Sequence, residues 1–322
     1  MNIGIIGTGA FGIAIASVLN RNNHKVTMWS KFEDEINKLN STRTSPNLKG
    51  YKIPNEIKFT NDMKDTVENK DLIFLVVPAN FISDTTKLLK SYIKEEQHIC
   101  IASKGIEESR GRFLFDIVEE ILDTDKIGVI SGPSFAIDIV QNVPVGVTLA
   151  SNNIDTSDII KKALSNEFFK VSCINDMIGV SVCGCVKNII AIGSGIIDGM
   201  GYPISTTSLL ITIALNDIRN LIGALNGDEM TILELAGIGD IILTCTSTKS
   251  RNFSFGKIIG ESDNQEVIDN YVHNTTIEGL SALVNINKIV DNLQIDTPFI
   301  KLMHDIILGD KNKNDLINFI IK

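Results

Sequence analysis

Apolar and polar positions along this chain change period near its middle. Asn2 to Ile6 is a short apolar run, Gly7-Thr8-Gly9-Ala10-Phe11-Gly12 is a glycine-rich turn, and Ile13 to Leu19 has helical spacing. A turn at Asn22-Asn23 leads to a second strand pattern over Lys25 to Trp29. This opening reads as strand, turn, helix, turn, strand. Further apolar runs at Leu72 to Val77, Ile99 to Ala102, Ile127 to Ser131 and Val145 to Ala150 alternate with amphipathic stretches such as Arg112 to Ile121. Continuous apolar runs separated by helical ones predict a parallel, doubly wound α/β sheet buried on both faces.

After Phe169 to Cys173 the pattern becomes helical throughout. Asp176 to Gly199 is one long apolar segment rich in small residues, and helical spacing continues over Leu209 to Leu225, Ile277 to Leu293 and Pro298 to Leu308. The division therefore falls near Asn175. Residues 1–174 are expected to form a Rossmann-like dinucleotide-binding domain and residues 175–322 an all-helical substrate-binding and catalytic domain, with the ligand cleft expected between them.

Composition narrows the partners. The 322 residues carry a formal charge of −9, which argues against nucleic acid, so an anionic ligand must meet a local basic cluster. Cys100, Cys173, Cys183, Cys185 and Cys245 form no paired framework, which favours a reducing compartment. Cys183 and Cys185 point to different faces of a helix, and His24, His98, His273 and His304 are isolated. No metal site and no Ser/His/Asp triad is expected. The first strand begins at Asn2 with no room for a leader, and no apolar run is expected to reach the roughly 18 residues of a membrane span. The expectation is a soluble cytoplasmic protein.

The glycine turn carries the first chemistry. Following a strand and opening a helix, it assigns Gly7 to the tight turn, Gly9 to close approach of a pyrophosphate, and Gly12 to helix–strand packing. Discrimination between NAD and NADP turns on the end of the second strand, where Trp29 is followed by Ser30 and Lys31. Lys31 favours NADP as the preferred cofactor. NAD remains open if Lys31 is a solvated lysine and Glu33 reaches back to the ribose.

Other turns follow the same logic. Val77-Pro78-Ala79-Asn80 and Ser103-Lys104-Gly105 each follow a buried strand, and Lys104 could reach an anionic or carbonyl ligand or simply be a solvated loop lysine. Ser131-Gly132-Pro133-Ser134-Phe135-Ala136 places backbone N–H groups and the Ser134 hydroxyl at a predicted helix start. In the helical half, Lys187-Asn188 interrupts the apolar run VCGCVKNIIAIGSGIIDG. A lysine buried there needs partners, and desolvation or a neighbouring cation would tune it for general acid–base work. The alternative is a lysine snorkelling from a helix end. Between Glu234 and Gly256, a lone acid, Asp240, lies among glycines and apolar residues, ahead of Ser250, Arg251 and Asn252. A guanidinium flanked by a hydroxyl and an amide suits a small phosphorylated ligand.

Together GTGAFG, SKG, SGPSFA, VKN with IDGMG, LAGIGDIILTCT, SRNFSFG and the late IEG resemble the bacterial NAD(P)-dependent glycerol-3-phosphate dehydrogenase family, in its order and approximate spacing across nearly the whole chain. The resemblance implies reversible hydride transfer between the nicotinamide and dihydroxyacetone phosphate, giving sn-glycerol 3-phosphate for phospholipid synthesis. It implies that Ala10, Phe11 and Lys31 line the dinucleotide site beside the glycines of that turn, with Ala136, Thr276 and Glu278 completing it at a distance. Lys104, Gly132 and Ser134 would hold substrate and cofactor. Lys187 would be the proton donor and acceptor, with Asn188 beside it and Asp240 in its network. Ser250, Arg251 and Asn252 would grip the substrate phosphate, Arg251 also lying near the cofactor.

The chain departs from the family after Gly201, where Ser205 and Thr207 replace the usual polar and basic residues and Ile213 stands where an arginine is common. These positions bear on the site wall or on a homodimer contact. Two other functions compete: a two-domain dehydrogenase for a hydroxy acid or sugar acid, and a non-catalytic NADP-binding sensor.

Overall fold

The apolar runs of the first half become strands of one sheet: β1 (Asn2–Ile6), β2 (Lys25–Trp29), β3 (Lys58–Thr60), β4 (Leu72–Leu75), β5 (His98–Ile101), β6 (Ile127–Ser131), β7 (Val145–Ala150) and β8 (Phe169–Ile174). The computed structural model describes residues 1–107, 111–262 and 264–322. Strand order is β3-β2-β1-β4-β5-β6-β7-β8. From β3 to β6 every pairing is parallel. β4, β5 and β6 are buried along their whole length, which is why their sequences lack alternation. The order reverses between β1 and β4, creating the crevice at their carboxyl ends where doubly wound sheets bind nucleotides.

The expectation of a wholly parallel sheet needs correction at β7, which pairs antiparallel with β6 through Val129 with Ala150 and Ser131 with Thr148. The connection between them contains only the five-residue helix Ala136–Val140. At about 1.5 Å per residue that helix cannot return the chain along a five-residue strand about 16 Å long, so β7 itself makes the return. β8 then pairs parallel with β7. β3 has no counterpart in the sequence pattern, because three residues are too few to show a period.

Two compact units divide the chain: Met1–Lys104 with Leu114–Met177, and Gly105–Phe113 with Ile178–Lys322. In the first, helix Ala10–Arg21 buries Ile13, Ile15, Val18 and Leu19 in the sheet's core, and Arg21 donates to the carbonyl of Ile139 at 2.8 Å. In the second, helices Met177–Gly199, Ile204–Ala224, Arg251–Glu261, Gln265–Asn274, Glu278–Leu293, Pro298–Leu308 and Asn314–Ile320 pack around their own core. Residues 105–113, expected in the nucleotide-binding half, belong here. Ile106 and Phe113 are buried and bridge each other, and Asn285 Nδ2 donates to Ile106 O at 3.2 Å.

Helix Met177–Gly199 also corrects an expectation, since it is long and apolar enough to cross a bilayer. Its most apolar 18-residue window is 94% buried within the protein, so that surface is spent on packing. The glycines explain how closely it packs. A Cβ on Gly195 would overlap the Phe253 carbonyl, one on Gly199 the Lys257 carbonyl, one on Gly256 the Ile192 carbonyl and one on Gly260 the Ile196 carbonyl. Two glycine pairs, each four residues apart, let helices Met177–Gly199 and Arg251–Glu261 cross backbone to backbone.

Candidate active site

In the first unit, the turns that carry candidate ligand-binding residues lie at the carboxyl ends of the strands they follow. The glycine loop follows β1, Lys31 follows β2, Val77–Asn80 follows β4, Ser103-Lys104 follows β5 and Gly132–Ser134 follows β6. Gly7 has φ 121°, a conformation that favours glycine, and a Cβ there would sit 2.9 Å from the Val76 carbonyl carbon. Gly12 is pressed against the Gly7 carbonyl. Around Gly9 a Cβ would meet nothing within 4 Å. That open face lies at the start of helix Ala10–Arg21, whose N-cap offers no side-chain bond, the arrangement that suits an anion at a helix N-terminus.

Beyond β2, Lys31 is exposed, with its Nζ 5.0 Å from the ring centroids of both Phe32 and Phe81. The carboxylate that turns back to the strand end is Glu35, not Glu33: Ser30 Oγ donates to Glu35 Oε2 at 2.6 Å. Glu33 begins helix Glu33–Thr42 and is exposed. Glu35 shares the first turn of that helix with Glu33 and could have been weighed beside it. Ser103 Oγ donates to the carbonyls of Leu75 and Val77, tying the Lys104 turn to the turn after β4. Ser134 is not the cap expected of it. The short helix beginning at Ala136 has Phe135 before it, and the Ser134 hydroxyl donates to Gly132 O at 2.9 Å.

The second unit brings the polar residues of three segments together. Lys187, on the long central helix, and Asp240 are both buried, with Lys187 Nζ 2.7 Å from Asp240 Oδ1. Thr244 completes a triangle, accepting from Lys187 Nζ and donating to Asp240 Oδ1, each at 3.3 Å. Thr244 escaped sequence reasoning, although it stands four residues after Asp240 and so on the same helix face. The backbone places Asp240 by an irregular path. Leu235–Gly239 forms a π-helical turn kinked at Gly237, and helix Asp240–Cys245 starts where it ends. Such turns recur at functional sites because they re-aim a side chain. Sequence reasoning anticipated desolvation or a neighbouring cation for Lys187. The structure supplies burial together with an anion, a pairing that keeps a buried ammonium tolerable.

At the next position of the same helix, Asn188 Oδ1 accepts from Asn252 Nδ2 at 2.9 Å, and Asn252 Oδ1 accepts from Gly279 N at 2.9 Å. Ser250 caps helix Arg251–Glu261, its Oγ accepting from Phe253 N. Arg251 is half-exposed, 3.7 Å from the Glu278 carboxylate, and Thr276 is exposed just ahead of helix Glu278–Leu293. Cys245 is buried against Lys187, and burial pushes its thiol up to about 12, so at neutral pH it is packing rather than a nucleophile. Of the positions that depart from the expected pattern, Thr207 is buried, Ser205 exposed and Ile213 half-buried, all on helix Ile204–Ala224.

A buried lysine–carboxylate pair next to the Asn188–Asn252 bond, in a chain whose other unit carries a glycine-rich strand–helix turn, invites comparison with known dehydrogenases. Residues 2–157 match the NAD-dependent glycerol-3-phosphate dehydrogenase N-terminus and residues 176–318 its C-terminus. The chain belongs to the NAD-dependent glycerol-3-phosphate dehydrogenase family. It is 33% identical over 317 residues to glycerol-3-phosphate dehydrogenase (NAD(P)+) of Thermoanaerobacter sp. (strain X514), covering 98% of this chain and 96% of that one. It is 32% identical over 321 residues to the enzyme of the same name from Fusobacterium nucleatum, covering 99% and 96%. Among solved structures, the glycerol-3-phosphate dehydrogenase of Coxiella burnetii superposes with TM-score 0.93 at 32% identity, over 100% of this chain and 98% of the other. The family's two regions meet between residues 157 and 176, the stretch where the sequence turns from strands to helices.

Proposed function

We propose that this protein reduces dihydroxyacetone phosphate to sn-glycerol 3-phosphate with NAD(P)H, and that Lys187 is its proton donor and acceptor. The observation that carries the assignment is the buried 2.7 Å contact of Lys187 with Asp240, next to the Asn188–Asn252 pair. Nicotinamide chemistry supplies the hydride for C2 of the ketone. As the C2–O double bond becomes single, the ketone oxygen gains negative charge. The Lys187 ammonium stabilises that charge and hands over its proton, and in the reverse direction Lys187 takes the hydroxyl proton back. Asp240 and Thr244 hold Nζ in place, so the ammonium need not reorganise during the step.

Ser250, Arg251 and Asn252 at the start of their helix suit the substrate phosphate, which would displace Glu278 from Arg251 as a stronger partner. Gly132, Ser134 and Lys104 follow β6 and β5 at the nucleotide edge, where they would contact substrate and cofactor. Gly7, Gly9, Ala10, Phe11 and Gly12 would carry the pyrophosphate, and Ala136, Thr276 and Glu278 would complete the dinucleotide contacts. NADPH is the preferred cofactor in this reading, because Lys31 presents positive charge after β2 while Glu35 is engaged by Ser30. The enzyme works in the cytoplasm, feeds glycerophospholipid synthesis and needs no nucleic-acid partner. Exposed Ile204 and Leu209 on helix Ile204–Ala224 favour a homodimer, which sedimentation would reveal.

Purified protein should oxidise NADPH on addition of dihydroxyacetone phosphate, and NADH more slowly. Lys187→Met should remove turnover while NADPH binding persists. Absence of activity with both cofactors would reject the reaction, and near wild-type turnover by Lys187→Met would reject the proton-transfer role.

A further inference from the structure

We propose that Glu35 is a specificity-determining residue of the dinucleotide site, and that its carboxylate keeps NADH usable where Lys31 favours NADPH; this rests on the place given to Lys31 above. The end of β2 adjoins the glycine turn, since Gly7 N donates to Trp29 O at 2.9 Å. In a doubly wound sheet the adenosine ribose lies at that strand end, and the side chains there read its 2′ position, a hydroxyl in NAD and a phosphate in NADP. Two opposite charges stand at this end. Lys31 follows the strand, and Glu35 is brought back to it from the first turn of helix Glu33–Thr42.

Glu35 differs from the two acids before it because it is held. Its neighbour Ile36 is buried in the sheet's core and anchors that turn, whereas Glu33 and Asp34 are exposed. Ser30 is buried and fixed by its own N–H, which donates to Thr60 O at 3.3 Å. The Ser30 hydroxyl accepts from Phe32 N at 3.3 Å and donates to Glu35 Oε2 at 2.6 Å, so its direction is set at both ends. That bond occupies one carboxylate oxygen. Among the described residues no bond is made to the other, Oε1. A ribose hydroxyl donating to it would form a charge-assisted hydrogen bond. A 2′-phosphate would instead bring negative charge up to negative charge, which Lys31 offsets. Ser30 is then a positioning residue, keeping the carboxylate at the strand end and out of solvent.

The test titrates NADPH and NADH by fluorescence, which needs no turnover, and follows the NADH Kd divided by the NADPH Kd. Glu35→Gln retains the shape and an acceptor for Ser30 but removes the charge, and should raise this ratio about five- to tenfold, with NADH weakened and NADPH tightened. Ser30→Ala should raise it about two- to threefold, because NADH must then order a free carboxylate. In a Glu35→Ala background Ser30→Ala should add nothing, since both act through one side chain. Asp34→Asn, which removes an exposed charge one residue earlier, should leave the ratio within about a factor of two. An unchanged ratio in Glu35→Gln, equal changes for both cofactors, or an Asp34→Asn effect as large as that of Glu35→Gln would overturn the proposal. Lys31→Ala should lower the ratio; no change there would overturn the place given to Lys31, a failure told apart because it appears in a different variant. Failure to reduce dihydroxyacetone phosphate would reject the reaction assigned above and leave these binding constants readable.

Discussion

Replacing Gly256 by alanine tests whether close helix crossing sets the geometry of the segments that carry Asn188 and Asn252. A Cβ at Gly256 would overlap the Ile192 carbonyl oxygen and lie 2.8 Å from its carbon and 3.0 Å from its Cα. Those atoms are backbone and cannot rotate aside. Restoring ordinary contact at roughly 3.4 Å requires the two helices to part by on the order of 1 Å, at a cost of about 1–3 kcal/mol. Relief along the axis is blocked too, because Gly195 and Gly199 meet backbone of the same partner helix. Asn252 sits at the start of one helix and Asn188 on the other, so their 2.9 Å hydrogen bond would be among the first to break.

Helix propensity alone predicts the opposite sign, since alanine is better than glycine in a helix interior by about 1 kcal/mol. Two measurements separate the cases. Thermal unfolding should fall by about 3–10 °C for a unit of this size. If Arg251 and Asn252 hold the substrate phosphate as proposed, steady-state kinetics should show kcat/KM down about 10- to 100-fold, because displacing them by such a distance would misalign that phosphate relative to Lys187. An unchanged or raised melting temperature with kcat/KM within a factor of two would refute the reasoning.

Asp240→Asn should lower kcat by about a hundredfold or more with little change in KM, whereas Arg251→Ala should act mainly on the KM for dihydroxyacetone phosphate, by about tenfold or more; steady-state kinetics with the reverse pattern would overturn the division of labour. Lys31→Ala should raise the KM for NADPH about five- to tenfold and leave that for NADH nearly unchanged, so equal effects on both would remove Lys31 from the choice of cofactor. Burial pushes the Asp217 carboxyl up to about 7, against the pull of the Ile300 and Phe299 N–H groups and with Asp296 adding to the rise. The folded state thus holds a proton that the unfolded chain releases near 4, so this contribution is complete below about pH 4 and is lost as pH climbs through 7. Asp217→Asn should flatten the pH dependence of the melting temperature between 4 and 8, a window worth on the order of 4 kcal/mol at most, and parallel profiles for the two proteins would contradict the assignment.

Strands whose burial makes them continuously apolar are written in the local pattern, which is why β1, β2, β6 and β7 have the limits that pattern predicts. The glycine turn is written there too, because each glycine answers a local steric demand that a short stretch of chain can state. Local pattern carries no strand direction, so β7 became antiparallel only when a five-residue helix proved too short for a crossover. Nor does it carry the partner of a buried charge. Lys187 announced that it needed one, but Asp240, 53 positions later, is aimed at it from a helix that begins where a π-helical turn ends. Thr244 and Glu35 look unremarkable in sequence for the same reason: a hydroxyl or a carboxylate is given its role by what lies opposite it. Folding in three dimensions sets those oppositions, since a hydrogen bond is specified by two ends and the chain displays them far apart.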